Sequence, residues 1–600
     1  MQTQDPYSLD DSKVLDPPTS LKGTIKHLGP GFILSASIVG SGELVATTQL
    51  GAGAGFVAMW VILVSCLVKV AVQLEFGKRA IMTGETTFAS FNTLPGNKVG
   101  VVSFSASIKR GFMNYFNFSG RASRSEYLYF ILFCFLLGLV ARVIDGALGI
   151  YLVAQTPDLL TGELGGGIGL VVGLVHLLVL IPSLALFWRR MHDLDKSGSW
   201  FFMALTGIGV LLLLVWVCTK GTSGMNRFGS DPLDSDGPAL PNDPRKAHWS
   251  IWTWLALMMV KFLQVGGIVG LVAVLLNMAI PSVAVLWWLI FVVVAVASIV
   301  ISGYYRVLEI MSVVMIGIFT LFTLVSLIAL QYTDSAIGIG EVLSGLQFKM
   351  PEGDGMTLLV IGAFGITGVG GDEIMAYNYW LIEKGYAANT GKNDGTDDWN
   401  RRAKGWIRVM YIDAIFAMAV YTIVTVAFFL LGCALLHGEG DFISVGGADF
   451  LRNLSNLYTS TLGSWAGPLF YVGAFVVLFS TAFSALGAWT RQFTDAFARI
   501  GLLDFDNYKS RRKCITLLSI VIPVLWGSVY VFFQSPVWMV LIGGFVTSII
   551  LLVVLYAAII FKKQRASSPI KTGMFYEVAF WSSSAMILFV GIWTVLSKFL

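Results

Sequence analysis

Charge is what this chain has least of. Only 13% of its 600 residues are Asp, Glu, Lys or Arg, against 56% hydrophobic, and the mean hydropathy is +0.76. Soluble domains carry about 25% charged residues, so the composition excludes one and indicates a polytopic membrane protein. Cysteine and histidine are scarce as well, five of each. Cys66, Cys134, Cys218, Cys433 and Cys514 lie in or beside apolar runs without metal-ligand spacing, which suits small apolar residues better than disulfide partners or zinc ligands. With a net charge of +4 and no basic block, nucleic acid is not an expected partner. A phosphate-binding glycine loop is missing, so neither an ATP-binding domain nor direct ATP coupling is expected, and no enzymatic activity is. The first 26 residues are polar and acidic without an apolar core, so no cleaved signal peptide is expected.

What the chain has in abundance is long apolar runs. Runs of about 20 residues mark membrane spans, and Lys/Arg-rich connections mark the cytoplasmic side. Span one covers roughly 28–50 and span two roughly 55–78, the latter ending at Lys78-Arg79. Span three starts after Arg245-Lys246, and span four returns to Arg306. Span six delivers the chain to a loop holding Arg401, Arg402 and Lys404, span ten ends at Lys562-Lys563, and span eleven covers roughly 575–597. Eleven spans then satisfy the positive-inside rule in an inner (plasma) membrane, with the N-terminus cytoplasmic. Spans one to five and six to ten have opposite orientations, which is an inverted repeat. The expected organisation is a tail at 1–27, spans one and two at 28–100, an inserted helical membrane module at 101–245, and spans three to eleven at 246–600.

Two of the spans are interrupted. In Ala363–Tyr386, Gly365, Gly368, Gly370 and Gly371 crowd the middle, and Asp372 and Glu373 follow at once. Glycine weakens a helix, and an acid at bilayer depth costs about 2.5–3.5 kcal/mol on insertion scales. A second copy lies in span one, where Val39-Gly-Ser-Gly-Glu43-Leu-Val-Ala46 aligns with Val369-Gly-Gly-Asp372-Glu373-Ile-Met-Ala376 and brings Glu43 into register with Glu373. Glycines alone are explained by close helix packing, but acids in matching positions are not. Paired interruptions in corresponding halves point to a transporter's midplane site. Glu43, Asp372 and Glu373 offer hard oxygen ligands, and unwound carbonyls near Gly40 and Val369 can add more, a set suited to Mg²⁺, Ca²⁺ or Mn²⁺. Gly40, Gly370 and Gly371 remove bulk, so a roomy site for a partly hydrated ion is expected. Met375 is read as apolar filler.

Around these residues the chain resembles the Nramp family of divalent-metal transporters, within the amino-acid/polyamine/organocation superfamily. The resemblance runs through GPGF at 29–32, the broken first span, MTGE at 82–85 and the glycine-rich sixth span. It implies an all-α polytopic membrane protein with a LeuT-like 5+5 inverted repeat plus an eleventh span. Where the family has Asp-Pro-Gly-Asn, this chain has Gly40-Ser41-Gly42-Glu43, and where it has Met-Pro-His, this chain has Asp372-Glu373-Ile374. By resemblance Gly40 stands for the metal-binding Asp, Asp372 for the metal-binding Met, and Val369 at the carbonyl position. The family's proton-linked acids fall on or near Leu263 and Gly266, and its first span-six histidine on Ile374, so proton coupling like the family's is not expected.

Lys69 in span two and Lys261 in span three each suit two readings: an internal counter-cation for a site carboxylate, or a snorkelling or structurally paired side chain with a partner such as Glu75. Gln264 is a further pathway candidate. Asp413 and Asp495 are expected to be solvated or helix-end charges.

Residues 103 to about 235 resemble a small bacterial inner-membrane family of unknown function, through FNFSGRASRSEYLYF at 116–130, PSLALFWRRMHDLDKSGSW at 182–200 and MNRFGSDPL at 225–233. Arg121, Arg124, Glu126, Arg189, Arg190, His192 and Asp193 suit a buried ion-pair network better than a headgroup site. Charge parity predicts that the segment 199–218 either re-enters, breaking at Gly207-Ile-Gly209, or lies in the interface.

The function expected is secondary transport of a hard divalent cation, Mn²⁺ or Mg²⁺, with no cofactor beyond the transported ion and the lipid bilayer as its setting. A transporter of a cationic or zwitterionic organic solute and a transport-derived membrane sensor are the alternatives.

Overall fold

Proline and glycine decide where the apolar runs of this chain begin and end as helices. The computed structural model describes residues 5–40, 42–95, 98–100, 104–148, 156–157, 164–165, 170–205, 207–232, 246–301, 305–351, 356–438, 447–566 and 568–596. The Pro/Asp-rich stretch 233–245 therefore lies outside the described residues. Two compact units emerge, one of Met1–Pro95, Ser250–Ala496 and Phe505–Leu600, the other of Gly96–Trp249 and Phe497–Asp504.

In the first unit the membrane-type helices are α1 (Pro30–Ile38), α2 (Thr48–Ala54), α3 (Met59–Thr83), α4 (Trp249–Ala279), α5 (Val285–Ile301), α6 (Tyr305–Leu330), α7 (Met356–Ile366), α8 (Gly371–Lys384), α9 (Asp397–Leu436), α10 (Ala466–Arg499), α11 (Tyr508–Phe533), α12 (Pro536–Arg565) and α13 (Met574–Leu596). Pro30 and Pro536 open α1 and α12, where a missing N–H leaves nothing unpaired. The expected span one corresponds to α1 and α2, span six to α7 and α8, and each other expected span to one helix. Among the described residues nine helical stretches are long and apolar enough to cross a membrane, Leu170–Asp193 of the second unit among them, while α5 is a shorter apolar helix.

The helix contacts carry the repeat. Exchanging the halves maps span one onto six, two onto seven, and five onto ten. The pairing of α1 with α6 is matched by that of α7 with α12, and the pairing of α2 with α9 by that of α8 with α3. The pairs α3 with α9 and α5 with α11 map onto themselves. The protein is an all-α polytopic membrane protein with a LeuT-like inverted repeat. Spans three and eight meet through rings instead: Phe262 lies 5.2 Å from Trp489, and Trp254 lies 5.0 Å from Phe493.

The second unit holds helices Phe104–Met113, Arg124–Leu148 and Leu170–Asp193, with the two ends of the insert, Lys98–Gly100 and Lys246–His248, paired as antiparallel strands. Its Arg and acid side chains form the buried network expected of them. Asp193 takes Arg121 at 2.9 Å and also Arg190, and Glu126 takes Arg189 at 3.1 Å. The segment after them is a 3₁₀ turn, Gly198–Leu205, followed by helix Gly207–Cys218. Trp200 near its start stacks edge-on against Trp216 near its end at 5.3 Å, so this segment doubles back on itself.

Candidate functional site

Both interruptions are real breaks. In span one, α1 stops at Ile38 and Gly42–Thr47 follows as a π-helical turn before α2. In span six, α7 stops at Ile366, Gly368 adopts φ +66°, a left-handed conformation that favours glycine, and α8 starts at Gly371. A break strands backbone groups with no water to receive them, so side chains must cap each end.

The acids begin with that task. Glu43 Oε2 accepts the N–H of Gly40 at 2.9 Å, and Thr425 donates to Oε1 at 3.0 Å. Glu373 does the same in span six, with Gly370 N–H at 2.6 Å and Ser37 Oγ at 2.8 Å. Asp372, in the first turn of α8, differs: Lys261 Nζ lies 2.5 Å from its Oδ1, and Trp489 Nε1 donates to Oδ2 at 3.4 Å. Removing one partner of such a buried pair leaves an uncompensated charge, at a cost of about 3–5 kcal/mol.

The two lysines therefore have different roles. Lys261 is the counter-cation of Asp372. Lys69 takes the structural part, though not with Glu75: its ammonium donates to the carbonyls of Thr367 at 2.7 Å, Gly365 at 3.3 Å and Phe364, where α7 ends. Ser65 donates to the carbonyls of Phe364 and Thr367 as well, at 2.9 Å and 2.7 Å. A cation at a helix C-terminus satisfies orphan carbonyls and complements the helix dipole. Glu75 is the partner of Lys78 and Arg565, each at 2.9 Å.

Where the breaks meet there is a cavity of about 20 Å³, bordered by Ser37 and Gly42 of span one and by Gly370, Asp372 and Glu373 of span six, with Lys261 and Gln264 from α4. A cavity above about 10–15 Å³ holds one water-sized body. Thr481 and Thr547 add hydroxyls to its wall. Gln264 Oε1 is buried there without a hydrogen-bond partner.

Three expectations need correction. The three carboxylates do not gather into one shell; among the described residues no group of three His, Cys, Asp or Glu is placed to hold a metal, because Glu43 and Glu373 are drawn to separate caps. Glu43, Gly40 and Val369 are buried but do not border the cavity. The site is also not roomy: a Cβ on Gly40 would lie 1.5 Å from Thr481 Oγ1, so the space the glycine vacates is already filled.

Asp413 and Asp495 are buried rather than solvated. Asp413 clasps the start of α1, accepting Gly29 N–H at 2.9 Å and Gly31 N–H at 2.7 Å on either side of Pro30, which has none to give. Asp495 accepts Phe88 N–H at 3.2 Å and Tyr379 OH at 2.7 Å. The pattern G-x-x-E at Gly40–Glu43 and Gly370–Glu373 is a readable helix-start signal that points to the caps. Thr425, Thr481, Thr547 and Trp489 carry no such signal, because long-range packing alone brings them in.

Inverted repeat, twin broken helices and an acid-lined cavity between them define the class as a LeuT-like multi-pass membrane protein. Residues 242–597 match the natural resistance-associated macrophage protein-like (Nramp) family, and the chain belongs to it. The first broken span lies outside the matched stretch. Residues 115–230 match a second family, a protein of unknown function (DUF805). Over 123 residues the chain is 42% identical to inner membrane protein YhaI of Escherichia coli (strain K12), covering 20% of this chain and 88% of that protein. It is also 28% identical over 278 residues to the uncharacterized protein PM0681 of Pasteurella multocida (strain Pm70), covering 44% of this chain and 58% of that one. In fold it is similar to crystal structures of the Eremococcus coleocola manganese transporter, with a TM-score of 0.55 at 12% identity, covering 98% of this chain and 91% of that one.

Proposed function

We propose that this protein is a secondary transporter that moves a hard divalent metal cation across the inner membrane by alternating access. The observation that carries the reading is the cavity at the meeting of the two broken helices, whose wall holds Asp372 and Glu373 beside Thr481, Thr547 and Gln264. The family supports divalent-metal transport, and the fold neighbour from Eremococcus coleocola is a manganese transporter. Asp372 and Glu373 are the charged ligands. Glu43, Gly40 and Val369 shape the breaks, and Lys69 secures the end of α7.

An oxygen-rich wall favours Mn²⁺ and Mg²⁺ over softer ions. A cavity of one-water size requires an ion to shed most of its hydration, which Mg²⁺ does reluctantly, so Mn²⁺ is the better substrate of the two. An organic solute needs a pocket of about 300–1,000 Å³. Intact breaks in both halves favour transport over sensing. With Leu263, Gly266 and Ile374 at positions where the family carries titratable groups, little proton flux accompanies the ion. The N-terminus is cytoplasmic, and the core at 28–100 and 246–600 carries the insert at 101–245 as a separate helical module.

The test is Mn²⁺ uptake by the full chain in proteoliposomes containing a metal dye and a pH dye. Saturable uptake that Asp372→Ala abolishes, without stoichiometric acidification, is the expected result. Uptake at the wild-type KM in Asp372→Ala overturns the ligand assignment, and matched acidification overturns the coupling.

A further inference from the structure

The cavity already has a cation in its wall. Lys261 Nζ stands 2.5 Å from Asp372 Oδ1, and the two side chains are nearly sealed, 6% and 7% exposed. Both border the cavity that Glu373 also faces. An ammonium therefore sits against the carboxylate that a cation substrate would use. Three residues along α4, on the neighbouring position of the same helix face, Gln264 also borders the cavity and carries a buried Oε1 without a partner, which lies beside Gly543. A buried acceptor left unpaired carries a desolvation penalty that a moving donor would relieve.

We infer that Lys261 is a displaceable counter-cation that selects substrate by charge. Its ammonium holds Asp372 while the site is empty, and an entering divalent ion drives it off towards Gln264 Oε1. The inference rests on Asp372 being a substrate ligand. Coulomb attraction to the carboxylate scales with the charge of its partner, so a divalent ion gains over the ammonium it displaces. A monovalent ion gains nothing over it, loses its own water, and competes with a group that its helix already holds in position without translational cost. Na⁺ and K⁺ are thereby refused whatever their size.

The same residue completes the cycle. A bare carboxylate at bilayer depth would make the empty carrier costly to reorient. Lys261 returns to Asp372 once the ion leaves, so that carboxylate is neutralised without a proton. That supplies the neutralisation that titratable side chains would otherwise provide at the positions now held by Leu263, Gly266 and Ile374.

Calorimetric titration of the purified full chain with Mn²⁺ tests this, alone and with excess Na⁺ or K⁺, alongside uptake and exchange in proteoliposomes. Lys261→Met should bind Mn²⁺ at least about tenfold more tightly than wild type. Its binding should become sensitive to Na⁺ and K⁺, and net uptake should slow while Mn²⁺ exchange persists. Lys261→Arg keeps the charge and grips Asp372 with a planar fork, so its Mn²⁺ affinity should fall about tenfold. Should the methionine variant fail to fold, the arginine variant decides by itself. Affinities within about twofold of wild type in every folded variant overturn the inference, and so does Na⁺ competition in wild type. Asp372→Asn separates the two claims. If it loses Mn²⁺ affinity while the Lys261 variants match wild type, displacement alone is wrong. If it binds Mn²⁺ like wild type, Asp372 is no ligand and both readings fall.

Discussion

Glu43 and Glu373 make the same hydrogen bond in the two halves of the repeat. Each accepts, through Oε2, the N–H of the glycine three residues earlier: Gly40 at 2.9 Å and Gly370 at 2.6 Å. Each leaves Oε1 to a hydroxyl from another helix segment, Thr425 for Glu43 and Ser37 for Glu373. The arrangement resembles the return half of a capping box, in which an acid reaches back to the first stranded N–H. Only Glu373 also borders the cavity, so the two halves share one cap and differ in what else the cap can do.

That difference separates cap from ligand by mutation. Glu43→Ala should cost about 0.5–2 kcal/mol, the loss of a helix cap. Glu43→Gln should cost less, since its amide oxygen can still accept, and should retain Mn²⁺ uptake. Glu373→Gln should show similar stability yet lose most of its uptake. Thermal unfolding in detergent, paired with proteoliposome flux, reads both quantities. A stable Glu43→Gln that transports nothing would put Glu43 among the ligands.

How far the sequence reaches is plain in these residues. The breaks were legible because glycine and acid have no ordinary reason to share an apolar run, and the register of Glu43 with Glu373 exposed the repeat. Lys261 and Asp372 were both singled out, but their pairing joins residues 111 positions apart and has no local trace. Lys69 fits the structural reading, but period and hydropathy locate a lysine along a helix without saying that three carbonyls, and not Glu75, wait opposite it. The site is tight for a related reason. Glycine vacates space in its own helix, and Thr481, on a span with no special motif, takes that space back.

Lys69 should be structural. Lys69→Met strips a donor from the end of α7, though Ser65 still serves Phe364 and Thr367. A loss of about 1–3 kcal/mol is expected, the cost of buried acceptors left short of a donor. Mn²⁺ affinity should stay near wild type, because Lys69 does not border the cavity. A tenfold affinity change at unchanged unfolding temperature would instead bring Lys69 into the ion path.

Asp193 should matter to the second unit and not to transport. It takes both Arg121 and Arg190, all three side chains nearly sealed. Asp193→Asn leaves two buried guanidinium groups short of charge, a loss of about 3–5 kcal/mol. Limited proteolysis should then cut within 104–232 first, with Mn²⁺ uptake preserved. Deleting 103–240 with a short linker should likewise leave measurable uptake. Complete loss of flux in a folded deletion would make the insert part of the pathway.

Selectivity turns on one atom type. A thioether is polarisable and favours soft ions, whereas Asp372 presents a charged oxygen to the cavity. Wild type should therefore give Cd²⁺ no advantage over Mn²⁺ in competition assays. Asp372→Met changes two things at once: it replaces hard oxygen with soft sulfur and removes the partner of Lys261. The second effect alone would weaken every divalent ion, because the ammonium would remain in the wall uncompensated. Pairing the change with Lys261→Met removes that charge and isolates the ligand effect. In the double variant Cd²⁺ should outcompete Mn²⁺, while the single variant should bind both poorly. A wild-type protein that already prefers Cd²⁺ would defeat the hard-site assignment and make Met375, buried on the same helix as Asp372, the next residue to replace.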